Sequence, residues 1–567
     1  MTASLSPARA EGPGARLGRS LGALTAVGRN VDIARLEVGW TTSVAADWTY
    51  TVAVLVAAYQ AGGAVAVGVV GFARMVVATV TAPLVSGLVG HVDPRVLLRA
   101  SAVVRLVAVG LGAVAVALGA HVVILLAAIA VEAGAFATIR PIQTAMLPGL
   151  ARSPAELVAA NVASSTGESV GTFVGPALGG FAVAAGGIGA ASAIAAALLA
   201  VDLLAILPIA MTELPGTRPS GGGVAAAGRT TLERLVRGAR FVRSRPSVAA
   251  LVLAFGAQVV VRGVLNVLLV VASLRLLGLG ESGVGLLNSA IGLGGFAGAL
   301  GSMALVGRPR LAGAFALALV GWGLPIAFVG LVPQGPVALA AMVFLGASNA
   351  TLDIAGFTLL QRLCPNDARG PVLGMLEGVV GLGFALGSVL GPLLVAALGV
   401  SAALLVDGAI LPVVALLAWR SLAVADDRAV VPAHELALLL GLPFFAPLPL
   451  TVLEQLASRM RPVTFEPGDA LMVQGEPGDT FYVIEAGGVE ILRDGEAVAA
   501  VGPAAAVGEI ALLRHVPRTA TVRAVGPTRA FALAGSDFVA AVCATPQGLT
   551  AADALVSARA PTAPEPR

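Results

Sequence analysis

The sequence contains no lysine, so its 35 basic residues of the Lys and Arg class are all arginines. This excludes any mechanism that needs a P-loop or Schiff-base lysine in this chain, including a pump driven by its own GxxxxGK[ST] ATPase site. Cysteine is nearly absent as well, because Cys364 and Cys543 are too few and too far apart for a disulfide framework or metal site. We therefore expect no cofactor, no metal and no enzymatic activity.

Charged residues are also scarce. Charged residues make up 12% of the chain, hydrophobic residues make up 57%, and the mean hydropathy is +0.93. A soluble domain carries roughly 25% charged residues, so most of this chain must lie in lipid. The net charge of +3 is small and the arginines lie at predicted loops, which gives no support for nucleic-acid binding.

Apolar stretches of about 20 residues follow one another, each long enough to cross about 30 Å of hydrocarbon. They predict twelve transmembrane helices, at residues 36–59, 64–89, 96–118, 121–147, 157–183, 187–211, 247–273, 283–305, 310–332, 336–360, 371–397 and 400–421. Arginines gather in alternate connections, such as Arg95 and Arg99 after the second stretch. The positive-inside rule therefore places both termini in the cytoplasm, and we expect a multi-pass protein of the plasma (inner) membrane.

The domain organisation follows from these stretches and from changes in composition. We predict a disordered cytoplasmic N-terminus at 1–30, a six-helix half at 31–212, a cytoplasmic loop at 213–246, a second six-helix half at 247–422, a linker at 423–434 and a soluble domain at 435–567. The loop carries RTTLERLVRGARFVRS, which predicts an amphipathic helix. We favour a helix at the lipid headgroups, and a regulatory docking helix stays open.

The two halves share weak internal similarity. VGTFVGPALGG in the fifth stretch, with Gly171, Gly175 and Pro176, corresponds to LGSVLGPLLVA in the eleventh, with Gly387, Gly391 and Pro392. Internal repeats of this kind are typical of secondary transporters. Together with the six-plus-six division, they resemble the major facilitator superfamily, and the GP motif and GVGLLNSAIGLGGFAGALGSMAL resemble its drug and siderophore exporters. The resemblance implies a substrate path between the halves, a small-molecule substrate and export.

One loop departs from that family. Between the second and third stretches the family has a glycine, then an aspartate, then basic residues. In SGLVGHVDPRVLLRAS, Gly87 fits, but His91 stands where the aspartate is expected, with Asp93 and Arg95 displaced after it. If this loop locks one state by charge pairing, it does so here with altered partners.

Ionisable side chains within the apolar stretches are candidates for a functional or structural role, because placing each one in a membrane costs at least ~2.5–3.5 kcal/mol of insertion free energy. The candidates at bilayer depth are Asp47, Arg74, Arg105, Glu132, Arg140, Glu168, Asp202, Arg262, Asp353, Glu377 and Asp407. Among them, Asp47, Arg74, Glu168, Arg262 and Asp353 are our candidates for the transport path.

Two of these candidates carry specific hypotheses. The repeat aligns Asp47 with Arg262, so the two could pair in one state and separate in another, could form a static ion pair, or Asp47 could carry a coupled proton. Glu168 could line a polar pocket, or it could be a buried carboxyl bonded to Ser164, Ser165 or Ser169. For Trp40 we favour an interfacial anchor.

The C-terminal region has a different pattern. From Arg461 onward, short alternating strands are separated by PGD, EPGD, AGG and RDGE turns, which predicts a β-roll or jelly-roll with flanking helices. FEPGDALMVQGEPGDTFYVIEAGGVEILRDGEAVAAVG followed by VGEIALLRHVPRTATVRA resembles the cyclic nucleotide-binding domains of catabolite activators and protein-kinase regulatory subunits.

The resemblance implies roles for particular residues. Glu509, with Gly508, holds the ribose 2′-hydroxyl, and Arg518 holds the cyclic phosphate. The backbone of the phosphate cassette is supplied by Ile510, Ala511 and Leu512, and Thr519 and Thr521 flank the nucleotide. Cyclic AMP and cyclic GMP both stay open, because a threonine directly after the arginine can bond guanine in some family members.

The sequence thus predicts an all-α polytopic membrane domain followed by a β-roll. We expect a secondary transporter in the lipid bilayer, an exporter with proton coupling as an open option, regulated by a cyclic nucleotide. The alternatives are a membrane receptor that does not transport and a constitutive transporter with a non-binding scaffold domain.

Overall fold

The computed structural model describes residues 30–88, 92–118, 122–151, 154–209, 224–302, 310–428, 432–442, 450–514 and 516–542, with single positions 28, 445 and 448. His91, most of the segment 1–30 and the residues after 542 lie outside the described residues. The chain divides into two compact units, Met1–Ala151 with Ala160–Ala429, and Arg152–Ala159 with Val430–Arg567.

Helices are the secondary structure of the first unit among its described residues, and short non-helical connections join them. Its helices are α1 Val31–Leu88, α2 Pro94–Ala117, α3 Val122–Leu150, α4 Pro154–Ile206, α5 Val224–Ser244, α6 Pro246–Arg275, α7 Gly280–Ser302, α8 Ala312–Leu331, α9 Gly335–Leu363, α10 Asn366–Leu398 and α11 Val400–Arg428. Within the described residues, nine helices are long and apolar enough to cross a membrane. Helices suit a lipid environment because lipid offers no hydrogen-bond partner for backbone N–H and C=O groups, and a helix pairs these groups within one segment.

Two of the long helices turn back on themselves at paired glycines. In α1 the backbone leaves helical geometry at Gly62 and Gly63, and in α4 it does so at Gly186 and Gly187. The second glycine of each pair has a positive φ, +61° and +72°, which costs other residues steric strain. Both breaks fall where the sequence predicts a boundary between two spans, so each pair of spans is joined without a loop. The count of twelve spans stays a prediction.

The repeated glycine motif packs in the same way in both halves. A Cβ at Gly171 would lie 2.8 Å from Val44, and one at Gly175 would lie 2.6 Å from the Ala45 carbonyl oxygen, both on α1. In the second half, a Cβ at Gly387 would meet the Val260 carbonyl and would lie 2.9 Å from the Gly263 Cα on α6. The motif therefore brings two helix backbones into contact in each half, as small residues do in membranes.

Gly387→Ala is expected to destabilise the membrane unit, because the new methyl group meets backbone atoms that cannot rotate away. Overpacking of this kind costs about 1–3 kcal/mol. Gly374→Ala, on the same helix α10, is the matched control, since no described atom lies within 4 Å of its Cβ position. Thermal unfolding in detergent should show a lower Tm for the first variant only. Equal melting temperatures would show that the close approach at Gly387 is not needed.

The end of the membrane unit differs from the predicted boundary at residue 422. Helix α11 continues to Arg428, so the linker predicted at 423–434 begins with helix. The extra turn of α11 places Asp426 at the start of α8, where it acts as a cap. Its carboxylate accepts hydrogen bonds from the backbone N–H of Leu311, at 2.9 Å, and of Ala312, at 3.0 Å. These groups begin α8 and have no partner within their own helix.

The predicted amphipathic helix is α5, and one of its faces contacts protein. A Cβ at Gly238 would meet the Pro371 carbonyl of α10, and Val242 is buried. Arg237, Arg240 and Arg243 are exposed. The helix therefore packs on α10 with its arginines exposed, and its position at the lipid headgroups stays a prediction.

The second unit contains short helices around a β-roll. After α12 Ala433–Leu440 and α13 Leu450–Ala457 come β1 Arg461–Phe465, β2 Ala470–Met472, β3 Thr480–Ala486, β4 Val489–Arg493, β5 Glu496–Val501, β6 Ala506–Val507, α14 Glu509–Arg514, β7 Thr521–Ala524, β8 Thr528–Ala534 and α15 Gly535–Val542. The described strands form two antiparallel sheets, ordered β1-β8-β3-β6 and β2-β7-β4-β5. This confirms the predicted fold class.

Local sequence explains these elements. The RDGE turn joins β4 to β5 through Asp494 and Gly495, both at positive φ, as a tight hairpin requires. The core under the short helices is aromatic: Phe481 and Phe538 stack with ring centroids 4.3 Å apart, and Phe445 meets both rings edge-on. This core fixes the sheet from which β6 leads into α14.

Candidate functional site

The loop between β6 and β7 brings an acid and a base to one place. Gly508 follows β6 with φ +98°, a backbone conformation that favours glycine, and a Cβ there would lie 2.7 Å from Nη1 of Arg518. Glu509, the first residue of α14, is 3% exposed, and Arg518 is 5% exposed. Buried charged groups require partners, so two buried charges close together indicate a built site.

Arg518 is held by its backbone and by its side chain. Its N–H donates to the Glu476 carbonyl at 2.8 Å, and its own carbonyl accepts from the Gly475 N–H at 2.9 Å. Its guanidinium donates to the carbonyls of Gly508, at 3.1 Å, and Thr480, at 2.6 Å. The EPGD turn therefore positions the arginine.

The electrostatics of Arg518 favour an anionic ligand. Burial lowers the pKa of the guanidinium, and the nearby Tyr482, Asp479 and Glu509 raise it. Among the described residues its hydrogen-bond acceptors are neutral carbonyls, and no ion pair neutralises it directly. A buried guanidinium with free N–H groups suits a phosphate, which accepts several charge-assisted hydrogen bonds.

A cavity of about 330 Å³ opens onto these groups. Ligand pockets of proteins span about 300–1,000 Å³. Its polar lining residues are Arg493, Glu509, Arg518 and Thr519, and its remaining lining residues are Met472, Ile491, Val498, Ala499, Val501, Val507, Gly508, Ile510, Ala511, Ala520 and Val522. A second cavity of about 850 Å³ is lined by Asp479, Gly535 and Val539 among others, and none of the described residues in its lining is basic. The smaller cavity is therefore the candidate ligand site.

The membrane unit holds a separate set of buried charges in its first half. Arg74 donates to the Asp47 carboxylate and to the Thr51 hydroxyl, all three on α1. Asp47 is therefore paired within its own half and not with Arg262, which is exposed on α6. The hypothesis of an Asp47–Arg262 pair is not realised in this conformation, because the turn at Gly62–Gly63 returns Arg74 along the first span.

A second buried pair joins α2 to α3. The Nε of Arg105 donates to the Glu132 carboxylate at 2.9 Å, and both side chains are almost fully buried. The guanidinium also donates to the hydroxyl and carbonyl oxygens of Ser43 on α1. The same serine hydrogen-bonds Asp202 of α4. Four helices thus meet at one ionic cluster, Ser43–Arg105–Glu132–Asp202.

The second half carries a mostly neutral network in its place. Asn349 on α9 accepts from the indole N–H of Trp322 at 3.0 Å and from the amide of Gln258 at 3.3 Å. The Asn349 side-chain amide donates to the Asp353 carboxylate at 2.9 Å. That carboxylate also interacts electrostatically with Arg262. These residues link α6, α8 and α9. The two networks therefore differ in charge, since the first is built on ion pairs and the second mainly on neutral amides and an indole.

Two protein-family models match this sequence. The sequence model of the Major Facilitator Superfamily matches residues 262–460, and that of the cyclic nucleotide-binding domain matches residues 462–542. The chain joins a major facilitator domain to a cyclic nucleotide-binding domain. It is a multi-pass membrane protein with a transporter domain.

Curated relatives match short regions. Acetyltransferase Pat of Mycolicibacterium smegmatis is 44% identical over 93 residues, 16% of this chain and 28% of the relative. The cAMP-dependent protein kinase regulatory subunit of Yarrowia lipolytica is 45% identical over 60 residues, 11% of this chain and 16% of the relative. The chain thus spans less than a third of the length of these relatives.

Among solved structures, the regulatory domain of Toxoplasma gondii PKA, crystallised with cAMP, is similar to this chain. It is 23% identical with a TM-score of 0.21, and the match covers 24% of this chain and 53% of that one.

Within the cyclic nucleotide-binding domain, most of the predicted cassette residues line the cavity. Gly508, Glu509, Ile510, Ala511, Arg518 and Thr519 do so. Leu512 lines the other cavity instead. Thr521 accepts a hydrogen bond from the Gln474 N–H at 3.0 Å, so it fixes the turn before Gly475 rather than lining the site. The sequence did not single out Arg493, which reaches the cavity from the other sheet.

In the transporter domain, Glu168 pairs with Arg140 at 3.4 Å and is largely exposed within the unit. Our alternative of a buried carboxyl bonded to neighbouring serines is wrong for Glu168, and Ser164 donates to Glu37 instead, at 2.7 Å. Glu37 was missed because it lies at the start of the first span. Trp40 is buried and donates to the Ser164 carbonyl, so it is not an interfacial anchor.

The departing loop has a local ion pair. Asp93 and Arg95 lie 2.6 Å apart, and this hydrogen bond lowers the pKa of the Asp93 carboxyl. Arg99 donates to the Leu207 carbonyl at 2.6 Å, at the end of α4. Gly87 lies near the end of α1, and the position of His91 is outside the described residues. In this conformation the Asp93 carboxylate therefore pairs with Arg95 of the same loop.

Proposed function

We propose that this protein is a secondary active transporter, an exporter, whose cytoplasmic cyclic nucleotide-binding domain controls its conformational equilibrium. The observation that carries the proposal is the 330 Å³ cavity, where the buried Arg518 and Glu509 lie together. We place the protein in the plasma membrane with both termini in the cytosol, following the arginine distribution. No covalent chemistry is assigned to it.

The cavity suits each part of a cyclic nucleotide. The single phosphate charge is met by the Arg518 guanidinium, which donates in a fixed fork. The Glu509 carboxylate can accept from the ribose 2′-hydroxyl. Apolar side chains such as Ile491, Val501 and Val522 line the space left for the base.

Transport is supported by the paired halves and by their interiors. The glycine motifs at Gly171 and Gly387 hold corresponding helices in contact in each half. The first half retains Asp47, Glu132 and Asp202 among its buried groups. Carboxylates kept at this depth mark ion or proton pathways in transporters, so proton coupling is part of the proposal.

Regulation follows from differential affinity. A nucleotide that binds one conformation more tightly than another shifts the equilibrium between them by the ratio of the affinities. The covalent connection is short, because α11 ends at Arg428 and α12 begins at Ala433. A change in the binding domain therefore acts on the chain close to the last transmembrane helix.

Hydrogen–deuterium exchange tests regulation without a known substrate. The full chain in lipid nanodiscs is measured with and without saturating cyclic AMP or cyclic GMP. We expect altered exchange in transmembrane helices as well as in the cassette, and no change in Arg518→Ala. Calorimetrically verified binding that leaves every transmembrane peptide unchanged would contradict regulation and favour a constitutive transporter.

A further inference from the structure

We propose that Arg493 reads the base of the nucleotide and makes the domain selective for cyclic GMP over cyclic AMP. The inference rests on the proposed nucleotide site and goes beyond it by naming the ligand and the residue that chooses it. It starts from a feature of the cavity that the cassette motif does not contain: a second guanidinium.

Arg493 lines the cavity from the sheet that does not lead into the cassette. It is the last residue of β4, in the sheet β2-β7-β4-β5, whereas the cassette follows β6 of the sheet β1-β8-β3-β6. It lines the cavity beside Ile491 and Val498, both apolar. With Arg518 and Glu509 committed to phosphate and ribose, Arg493 is the charged lining residue left for the base.

The acidic neighbours of Arg493 have other partners. The Asp494 carboxylate accepts from the Gln474 amide at 2.8 Å. Glu490, on the same strand, lies 3.9 Å from Arg523. Glu496 is its register partner across the hairpin, and no ion pair between the two side chains occurs among the described residues. The half-buried guanidinium of Arg493 is therefore available to a ligand.

The chemistry of the two purines decides the preference. Arginine carries five N–H donors and no acceptor. Guanine offers two acceptors on one edge, O6 and N7, whereas adenine has N7 as an acceptor beside an amino group that donates. An arginine fork therefore pairs with guanine at both positions and meets a donor at adenine. Thr519 is the second residue that could choose the base, because its hydroxyl can accept from the 2-amino group of guanine, which adenine lacks.

Binding measurements on the full chain in nanodiscs test the proposal. Wild-type protein should bind cyclic GMP roughly tenfold to a hundredfold more tightly than cyclic AMP, the range for one bidentate arginine contact. Arg493→Gln should lose or reverse this ratio, because an amide presents a donor and an acceptor that match adenine. Arg523→Gln is the matched control, since this arginine on the adjacent strand β7 is exposed and is not among the cavity-lining residues; its ratio should stay that of wild type.

Cyclic inosine monophosphate separates Arg493 from Thr519 as the source of selectivity. This nucleotide keeps O6 and N7 but lacks the 2-amino group of guanine. If Arg493 reads the base, it binds about as tightly as cyclic GMP, and binding as weak as that of cyclic AMP would overturn the proposal. Cyclic AMP binding at least as tight as cyclic GMP, or an unchanged ratio in Arg493→Gln, would also overturn it while leaving the nucleotide site intact. Failure of all three nucleotides to bind would refute the proposed nucleotide site itself.

Discussion

Arg518→Ala is expected to weaken cyclic nucleotide binding by about 2–5 kcal/mol, roughly thirtyfold to several-thousandfold. The substitution removes the guanidinium that faces the cavity together with its bonds to the Gly508 and Thr480 carbonyls. Because the phosphate charge then enters a mainly apolar cavity without this counter-charge, the loss should be large. Calorimetric titration of the full chain with both cyclic nucleotides measures it.

The controls separate binding from folding. Arg514→Ala, at the exposed end of α14, should bind as wild type does. Arg518→Lys should be intermediate, because it keeps the charge and loses the fork. Thermal unfolding should show that Arg518→Ala still folds. A folded Arg518→Ala protein with an affinity within about threefold of wild type would mean that the phosphate lies elsewhere.

Arg105→Met is expected to destabilise the membrane unit by about 3–5 kcal/mol, the cost of breaking a buried ion pair by removing one partner. The Glu132 carboxylate would keep its place in the interior of the first half without its guanidinium. Thermal unfolding in detergent and the yield of folded protein measure the effect.

An ion pair on the same helix provides the comparison. Arg95, also on α2, pairs with Asp93 at the surface, so Arg95→Met should cost about 0–1 kcal/mol. The double variant Arg105→Met with Glu132→Leu should recover much of the loss, since apolar residues can replace a buried pair. A single Arg105→Met variant as stable as Arg95→Met would show that the pair does not stabilise this fold.

Much of this protein could be predicted from the sequence because the signals are local. Apolar runs of one bilayer thickness mark the helices, and the predicted boundaries between these runs coincide with the turns at Gly63 and Gly187. Turn residues and the spacing from Gly508 to Arg518 predict the β-roll and the ends of its cassette. In each case the residues that carry the signal lie within one or two neighbouring helices or strands.

The partners of the charged residues were decided by tertiary structure alone. Repeat symmetry suggested Arg262 for Asp47, but the turn in α1 brings Arg74 to it. The Arg105–Glu132 pair and the entry of Arg493 into the cavity depend on which helix or strand lies beside which. Hydropathy and backbone preference act over a few residues, so the sequence alone predicts the type of each domain and the solvent in which each segment lies. The electrostatic partners required the fold, because charges interact through space with side chains that many different packings could supply.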